Sequence, residues 1–258
     1  MTLLDVTGLQ HEYGPGNVAI DDISFTVTEG QFTSIVGPSG CGKTTLMKSI
    51  AGLLPFTSGD VRLLGREVVG VPADLAMVFQ DYSRSLFPWL RIGANIELPL
   101  RYRGLDAGVR KGRVQRSLEA VGLGDKADKY PWELSGGMQQ RAAIARALAY
   151  EPRIMLMDEP FASVDAQTRA DLEDLVARVH GDLKMTILFV THDIDEAVYL
   201  ADEVLVLSKS PSRVVDRIEV DLPRERDQVD TKKAPEFVAL RTRVAELIRH
   251  PQVSAGGS

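Results

Sequence analysis

The 258-residue chain is 44% hydrophobic and 26% charged, the balance of a globular protein with room for one large domain or two small ones. Its formal net charge of -6 weighs against nucleic acid as a partner, since such proteins carry a basic excess. A single cysteine, Cys41, excludes an internal disulfide and fits a reducing cytoplasm, and no apolar run approaches the roughly 18 residues that span a bilayer.

Residues 1–36 alternate apolar and polar positions, which predicts strands over Leu3–Gly8, Ile23–Val27 and Gln31–Val36 with turns at Gly14-Pro15-Gly16 and Glu29-Gly30. No basic region precedes an apolar stretch, so no secretion signal is expected. A glycine-rich loop opens a helix expected over Lys43–Leu53, and residues 60–79 read as short strands ending in Ala76–Phe79. From Asp81 to Pro152 the pattern turns helical, with Val114, Leu118 and Val121 on one face and an alanine-rich run from Met138 to Tyr150. Strands return at Arg153–Met157 and Thr186–Val190 around a helix over Thr168–Val179, an order that implies a parallel sheet. Residues Lys209–Leu222 are polar and strand-like, and Pro235–His250 is an amphipathic helix stopped by Pro251, ahead of a small, polar tail.

Gly37-Pro38-Ser39-Gly40-Cys41-Gly42-Lys43-Thr44 matches G-x-x-x-x-G-K-[ST] in full, followed by Thr45. Glycines at these positions let successive backbone N–H groups turn toward one phosphate chain, and the following helix points its positive end there. Lys43 adds a point charge for the terminal phosphates, and the Thr44 hydroxyl suits Mg²⁺. The alternative is a glycine-rich turn with a solvated lysine; the apolar strand before and the helix after speak against it. Cys41 reads as a small loop residue with nothing nearby to activate it.

The apolar strand Arg153–Met157 runs into Asp158-Glu159-Pro160. Carboxylates at the end of a buried strand are costly unless they meet a cation or a reacting group, and such strand ends are where ligands sit in open α/β sheets. Asp158 is the candidate for Mg²⁺ and Glu159 for polarising an attacking water. Read alone, the pair also suits a helix cap or turn.

Leu134-Ser135-Gly136-Gly137-Met138-Gln139-Gln140 resembles the signature of ABC transporter ATPases, with Met138 in the usual glutamine place and Gln139 one position later. Physically it is a well-capped helix start with room for close backbone approach, and taken alone it could be no more than that. Other segments resemble the family in the same order. Gln80 looks like the Q-loop glutamine, a contact for metal and water, and Ser163-Val164-Asp165 resembles the D-loop. His192, in Phe189-Val190-Thr191-His192-Asp193, looks like the switch histidine, and Tyr13 sits where the family stacks a ring on adenine. A lone histidine after a strand is more often structural, and Tyr13 could simply pack at a strand end.

The resemblance implies an α/β P-loop NTPase core with a parallel sheet, an N-terminal antiparallel β subdomain and an inserted helical subdomain. Its expected bounds are 1–80 and 153–222 for the core, 81–152 for the helical part and 223–258 for a C-terminal helix and tail. It implies binding and hydrolysis of Mg-ATP by a homodimer, or a pair with a similar ATPase, in which Gly37–Thr44 of one copy and Ser135–Gln139 of the other enclose each nucleotide. The partners it implies are separate membrane permease subunits and, indirectly, a solute-binding protein, with the chain peripheral on the cytoplasmic face of the membrane.

Val78–Trp89 and Phe161–Arg169 look most like ATPases of nitrate, sulfonate and taurine importers. Phe87 and Trp89 are either core of the helical subdomain or an apolar dock for a permease segment. An ABC ATPase that drives another membrane process or a non-transport process is the rival. About 90 residues between Lys43 and Leu134 leave no room for the long coiled coil of repair types, and there is one cassette. The presence of Glu159 and His192 speaks against a module that binds ATP without turning it over.

Overall fold

The computed structural model describes residues 1–81 and 85–250. Two sheets and a helical layer enclose the core. The first sheet is antiparallel, in the order β2-β1-β4-β5. It is built from β1 (Thr2–Glu12), β2 (Val18–Thr28), β4 (Ser58–Leu63) and β5 (Arg66–Glu67). The expected strand at Leu3–Gly8 thus runs on to Glu12, carrying Tyr13 to its end.

The second sheet has six strands in the order β10-β9-β3-β8-β7-β6. Its members are β3 (Phe32–Val36), β6 (Leu75–Val78), β7 (Ile154–Asp158), β8 (Thr186–Val190), β9 (Glu203–Leu207) and β10 (Val214–Glu219). All neighbours pair in parallel except β9 and β10. A parallel sheet needs cover on both faces, and the side chains sort accordingly. Met155, Met157, Ile187, Phe189, Val204 and Val206 point into the core on the helical side. Their alternates Ile154, Leu156, Leu188, Val190, Leu205 and Leu207 pack toward the first sheet. Helix α1 (Lys43–Ile50) joins the two sheets, sharing that second core through Leu46, Met47 and Ile50.

The helical part of the chain is less uniform than its composition suggests. It contains α2 (Ile92–Glu97), a 3₁₀ stretch at Leu98–Arg103, α3 (Ala107–Ala120), a 3₁₀ turn at Pro131–Glu133 and α4 (Gly136–Ala149). Val114, Leu118 and Val121 are buried together, as their spacing predicts. Beyond β7 come α5 (Ala166–Leu183), α6 (Ile194–Leu200), α7 (Asp230–Lys233) and α8 (Pro235–Arg249).

The helix expected over Lys43–Leu53 stops three residues sooner, at Ile50. Strand β9 and helix α6 have no counterpart among the elements read from sequence. Phe87 and Trp89 are not core: their rings meet at 5.3 Å, and Trp89 is 69% exposed. The small, polar tail and part of the segment Asp81–Leu90 lie outside the described residues.

Among the described residues, no helix is long and apolar enough to cross a membrane.

Candidate functional site

Parallel register aligns the C-terminal ends of four strands. Ile35 of β3 pairs with Val190 of β8, Val190 with Asp158 of β7, and Met157 of β7 with Val78 of β6. The segments that leave these ends are the phosphate loop, Thr191-His192, Glu159 and Phe79-Gln80. One crevice at the carboxyl edge of the sheet therefore collects them, the usual ligand position in open parallel sheets.

The loop Gly37–Gly42 leads into α1 through Gly42, whose φ of 97° is a left-handed conformation that a side chain strains to adopt. Lys43 is folded over the loop, donating to the carbonyls of Gly37 at 2.9 Å and Pro38 at 3.2 Å. Cys41 is buried beneath it, and burial pushes its thiol pKa up, which leaves it unreactive in its neutral form. Thr45 meets Tyr13, their hydroxyl oxygens 2.7 Å apart, so the exposed Tyr13 ring is tethered beside the first turn of α1. The ring of His11 braces it edge-on at 4.5 Å.

Asp158 and Glu159 take opposite environments. Asp158 is 3% exposed and accepts the Thr44 hydroxyl at 3.2 Å. Burial outweighs that hydrogen bond and raises its pKa above the ordinary carboxylate value. A buried oxygen donor set of this kind, a carboxylate facing a threonine hydroxyl, fits a small hard cation, which would restore the charged form. Glu159 sits at φ 43° with its N–H bonded to Val190 O at 2.8 Å, so the strand-end turn aims its side chain outward. Its Oε2 accepts Gln80 Nε2 at 3.3 Å and lies 3.0 Å from His192 Nδ1, which donates when that nitrogen carries the proton. Two residues from two other strand ends thus converge on one oxygen of the Glu159 carboxylate.

The signature segment occupies the start of α4. Ser135 caps it, accepting Met138 N–H at 3.4 Å, and Gln139 Nε2 donates to Leu134 O at 3.1 Å. Gly136 opens the helix, and Gly137 is pressed against α5: a Cβ there would stand 2.4 Å from Thr168 Cγ2. Asp165 caps α5, accepting the N–H groups of Gln167 and Thr168 and the Thr168 hydroxyl. Those bonds, led by the Thr168 N–H, hold its carboxyl below the ordinary range. Among the described residues no hydrogen bond joins Ser135–Gln139 to the phosphate loop. One chain therefore carries two separate helix starts, each with its own free backbone donors.

The family model described as ABC transporter matches residues 20–162, more than half of the chain. The chain belongs to the ABC transporter family. It is an ATP-binding ATPase subunit of that family. The nitrate transport protein NasD of Klebsiella oxytoca is 38% identical over 98% of this chain and 98% of its own length. The taurine import ATP-binding protein TauB of Escherichia coli is 37% identical, over 93% of this chain and 94% of its own. A solved dimeric, post-hydrolysis structure of the ATP-binding cassette MJ0796, bound to ADP and Pi, is 30% identical. It superposes with a TM-score of 0.74 over 86% of this chain and 100% of its own.

Two residues of this ABC ATPase escaped sequence reasoning. Arg169 and Glu196 flank the histidine turn in space, but they lie 27 positions apart in the chain, and each alone reads as an ordinary helix-surface charge. A run of Thr191, His192, Asp193 and Glu196 before an apolar helix face was the available signal.

Proposed function

We propose that Gly37–Thr45 holds the phosphates of ATP on one side and that Tyr13 stacks on the base. Ser135, Gly136, Gly137, Met138, Gln139 and Asp165 of a second copy would close the other side. Thr44 and Asp158, with Gln80 beside them, would hold Mg²⁺, which when bound neutralises phosphate charge. Glu159 orients and polarises the attacking water, and His192 and Gln80 steady that carboxylate. Lys43 leaves the loop carbonyls for the terminal phosphates. Catalysis is then positioning and charge stabilisation, with no covalent step asked of the protein.

The observation that carries this reading is the convergence of Gln80 and His192 on Glu159 Oε2, beside the Thr44–Asp158 pair. The roles are tested by single substitutions. Glu159→Gln lowers ATP turnover by about 100-fold or more while nucleotide binding persists, whereas Lys43→Ala weakens nucleotide binding itself. Full turnover in both variants rejects the assignments.

The cycle is closure on ATP, hydrolysis, and reopening, a ligand-driven shift between two arrangements of the pair. It would be passed to separate permease subunits, with the chain peripheral on the cytoplasmic face of the membrane. An apolar groove of about 550 Å³ between the core and the helical layer supports that coupling. Leu75, Met77, Phe87, Leu98 and Tyr102 line it, next to the segment that follows Gln80. The similarity to NasD and TauB supports import of a small solute such as nitrate, a sulfonate or taurine, delivered by a solute-binding protein.

A further inference from the structure

His192 stands at the head of a short turn, and what fixes that turn lies on another element. Thr191, just before it, is buried and donates its hydroxyl to Glu196 Oε2 at 2.6 Å. Asp193, just after it, caps α6 through the N–H groups of Asp195 and Glu196. The histidine is thus bracketed by two carboxylates, Asp193 and Glu196, that are bound into the turn itself. One cation reaches both from outside. Arg169, in the first turn of α5, has Nη1 3.4 Å from Asp193 Oδ2 and Nε 3.6 Å from Glu196 Oε1.

The Arg169 fork is not fully closed. Nε is buried and has no hydrogen-bond partner at its present distance. A buried guanidinium N–H left unbonded is costly, and a small approach of α5 to the turn would satisfy it. That makes the pair a contact whose strength depends on how α5 sits against the histidine turn.

The first turn of α5 also lies against the signature. Arg169 N–H is bonded to Asp165 O, so Arg169 moves with the cap of its helix. Thr168, its neighbour, is the residue that Gly137 of α4 touches. A contiguous chain of contacts runs from Gly137 to Thr168, then Arg169, then Asp193 and Glu196, and ends at His192 and Glu159.

We propose that Arg169 is a positioning residue for hydrolysis: it holds the Thr191–Glu196 turn so that His192 faces Glu159, and it links that turn to the signature helix of the same subunit. The proposal rests on the hydrolytic reading of Glu159 and His192. It predicts that a subunit's signature, engaged on one nucleotide, biases the histidine that serves its own phosphate loop. Coupling between Arg169 and the histidine turn shows as energetic non-additivity.

The experiment uses the full chain, measuring Mg-ATP hydrolysis, nucleotide affinity and melting temperature for Arg169→Ala, Arg169→Lys, His192→Ala and Arg169→Ala/His192→Ala. The expected result is that Arg169→Ala lowers kcat by about 10-fold while the KM for ATP and the melting temperature stay near wild type. Arg169→Lys recovers part of that loss, since a point charge reaches one carboxylate but not both. In the His192→Ala background, Arg169→Ala lowers kcat by less than about 2-fold further. If kcat is unchanged in Arg169→Ala, or if it falls only together with ATP affinity and melting temperature, the positioning role is overturned. The same holds if the two losses multiply. If His192→Ala itself hydrolyses ATP at the wild-type rate, the hydrolytic reading fails instead, and the two failures are thereby told apart.

Discussion

Asp158 and Glu159 are covalent neighbours with the same functional group, and a half-turn of backbone separates their chemistry. The last position of β7 buries Asp158 against Thr44, while the left-handed φ of Glu159 turns its carboxylate toward Gln80 and His192. Burial is a hydration cost that the Thr44 hydrogen bond offsets only in part and a cation would offset further, so the inner acid suits metal and the outer one suits water. Glu196 shows the same physics without a metal. Its side chain is 5% exposed, and burial raises its pKa from 4.5 to about 7 despite the Thr191 hydroxyl and the distant Arg169 Nε.

A carboxyl whose folded pKa is raised stabilises the fold in its neutral form. That contribution is whole below the ordinary value of 4.5 and is lost as pH climbs to about 7. Glu196→Gln keeps the neutral form at every pH. Relative to wild type it should therefore gain about 3 kcal/mol of stability between about pH 4 and pH 8. Urea unfolding across that range checks it, and a pH-independent difference between the two proteins contradicts it. The phosphate loop, the acidic pair and the histidine were legible in the sequence because each is a contiguous pattern with a strand before it. Arg169 and Glu196 were not, because their meaning lies in a contact between α5 and α6 that no local spacing encodes.

At the scale of elements, glycine at 137 is set by the neighbouring helix as well as by any ligand. A Cβ there meets the Thr168 methyl at 2.4 Å, and that methyl has no easy escape, because the Thr168 hydroxyl is bound to Asp165 Oδ2 at 2.7 Å. Gly137→Ala should therefore lower the melting temperature even without nucleotide. Overpacking of about 1–3 kcal/mol exceeds the roughly 1 kcal/mol that alanine gains over glycine within a helix. Thr168→Ser in the same chain removes the offending methyl, keeps the hydroxyl, and should restore most of the loss. A Gly137→Ala protein as stable as wild type contradicts the packing account.

The elements themselves were unevenly readable. Strands flanked by turns and the capped helix α4 announced themselves by period and punctuation. Strand β9 did not. Its five residues Glu203–Leu207 are buried throughout, as befits a strand covered on both faces, and so show no alternation to set against a buried helix segment. Its place is fixed from a distance by Asp202, whose carboxylate accepts Phe32 N–H at the start of β3. The interruptions on either side of α3 escaped for the opposite reason: a helix-rich composition hid a 3₁₀ stretch at Leu98–Arg103 before it and a loop with a 3₁₀ turn at Pro131–Glu133 after it.

For the whole molecule, the two helix starts pose a single question. Each offers oriented N–H groups to an anion, but within the described residues no hydrogen bond ties one to the other. In the function proposed above, a nucleotide gripped by both brings two copies of the chain together, and ATP would be part of the interface it creates. On that proposal hydrolysis would weaken the interface, converting phosphate chemistry into motion that a permease can use.

The most direct test is the ATP-dependent mass of the Glu159→Gln protein, in which closure is not followed by turnover. Light scattering on a sizing column should give a monomer without nucleotide and a dimer with Mg-ATP. Adding Ser135→Arg should leave a monomer that still binds ATP through its intact phosphate loop. A dimer that persists with Ser135→Arg, or one that forms equally well without nucleotide, would contradict the two-sided grip on which the account depends.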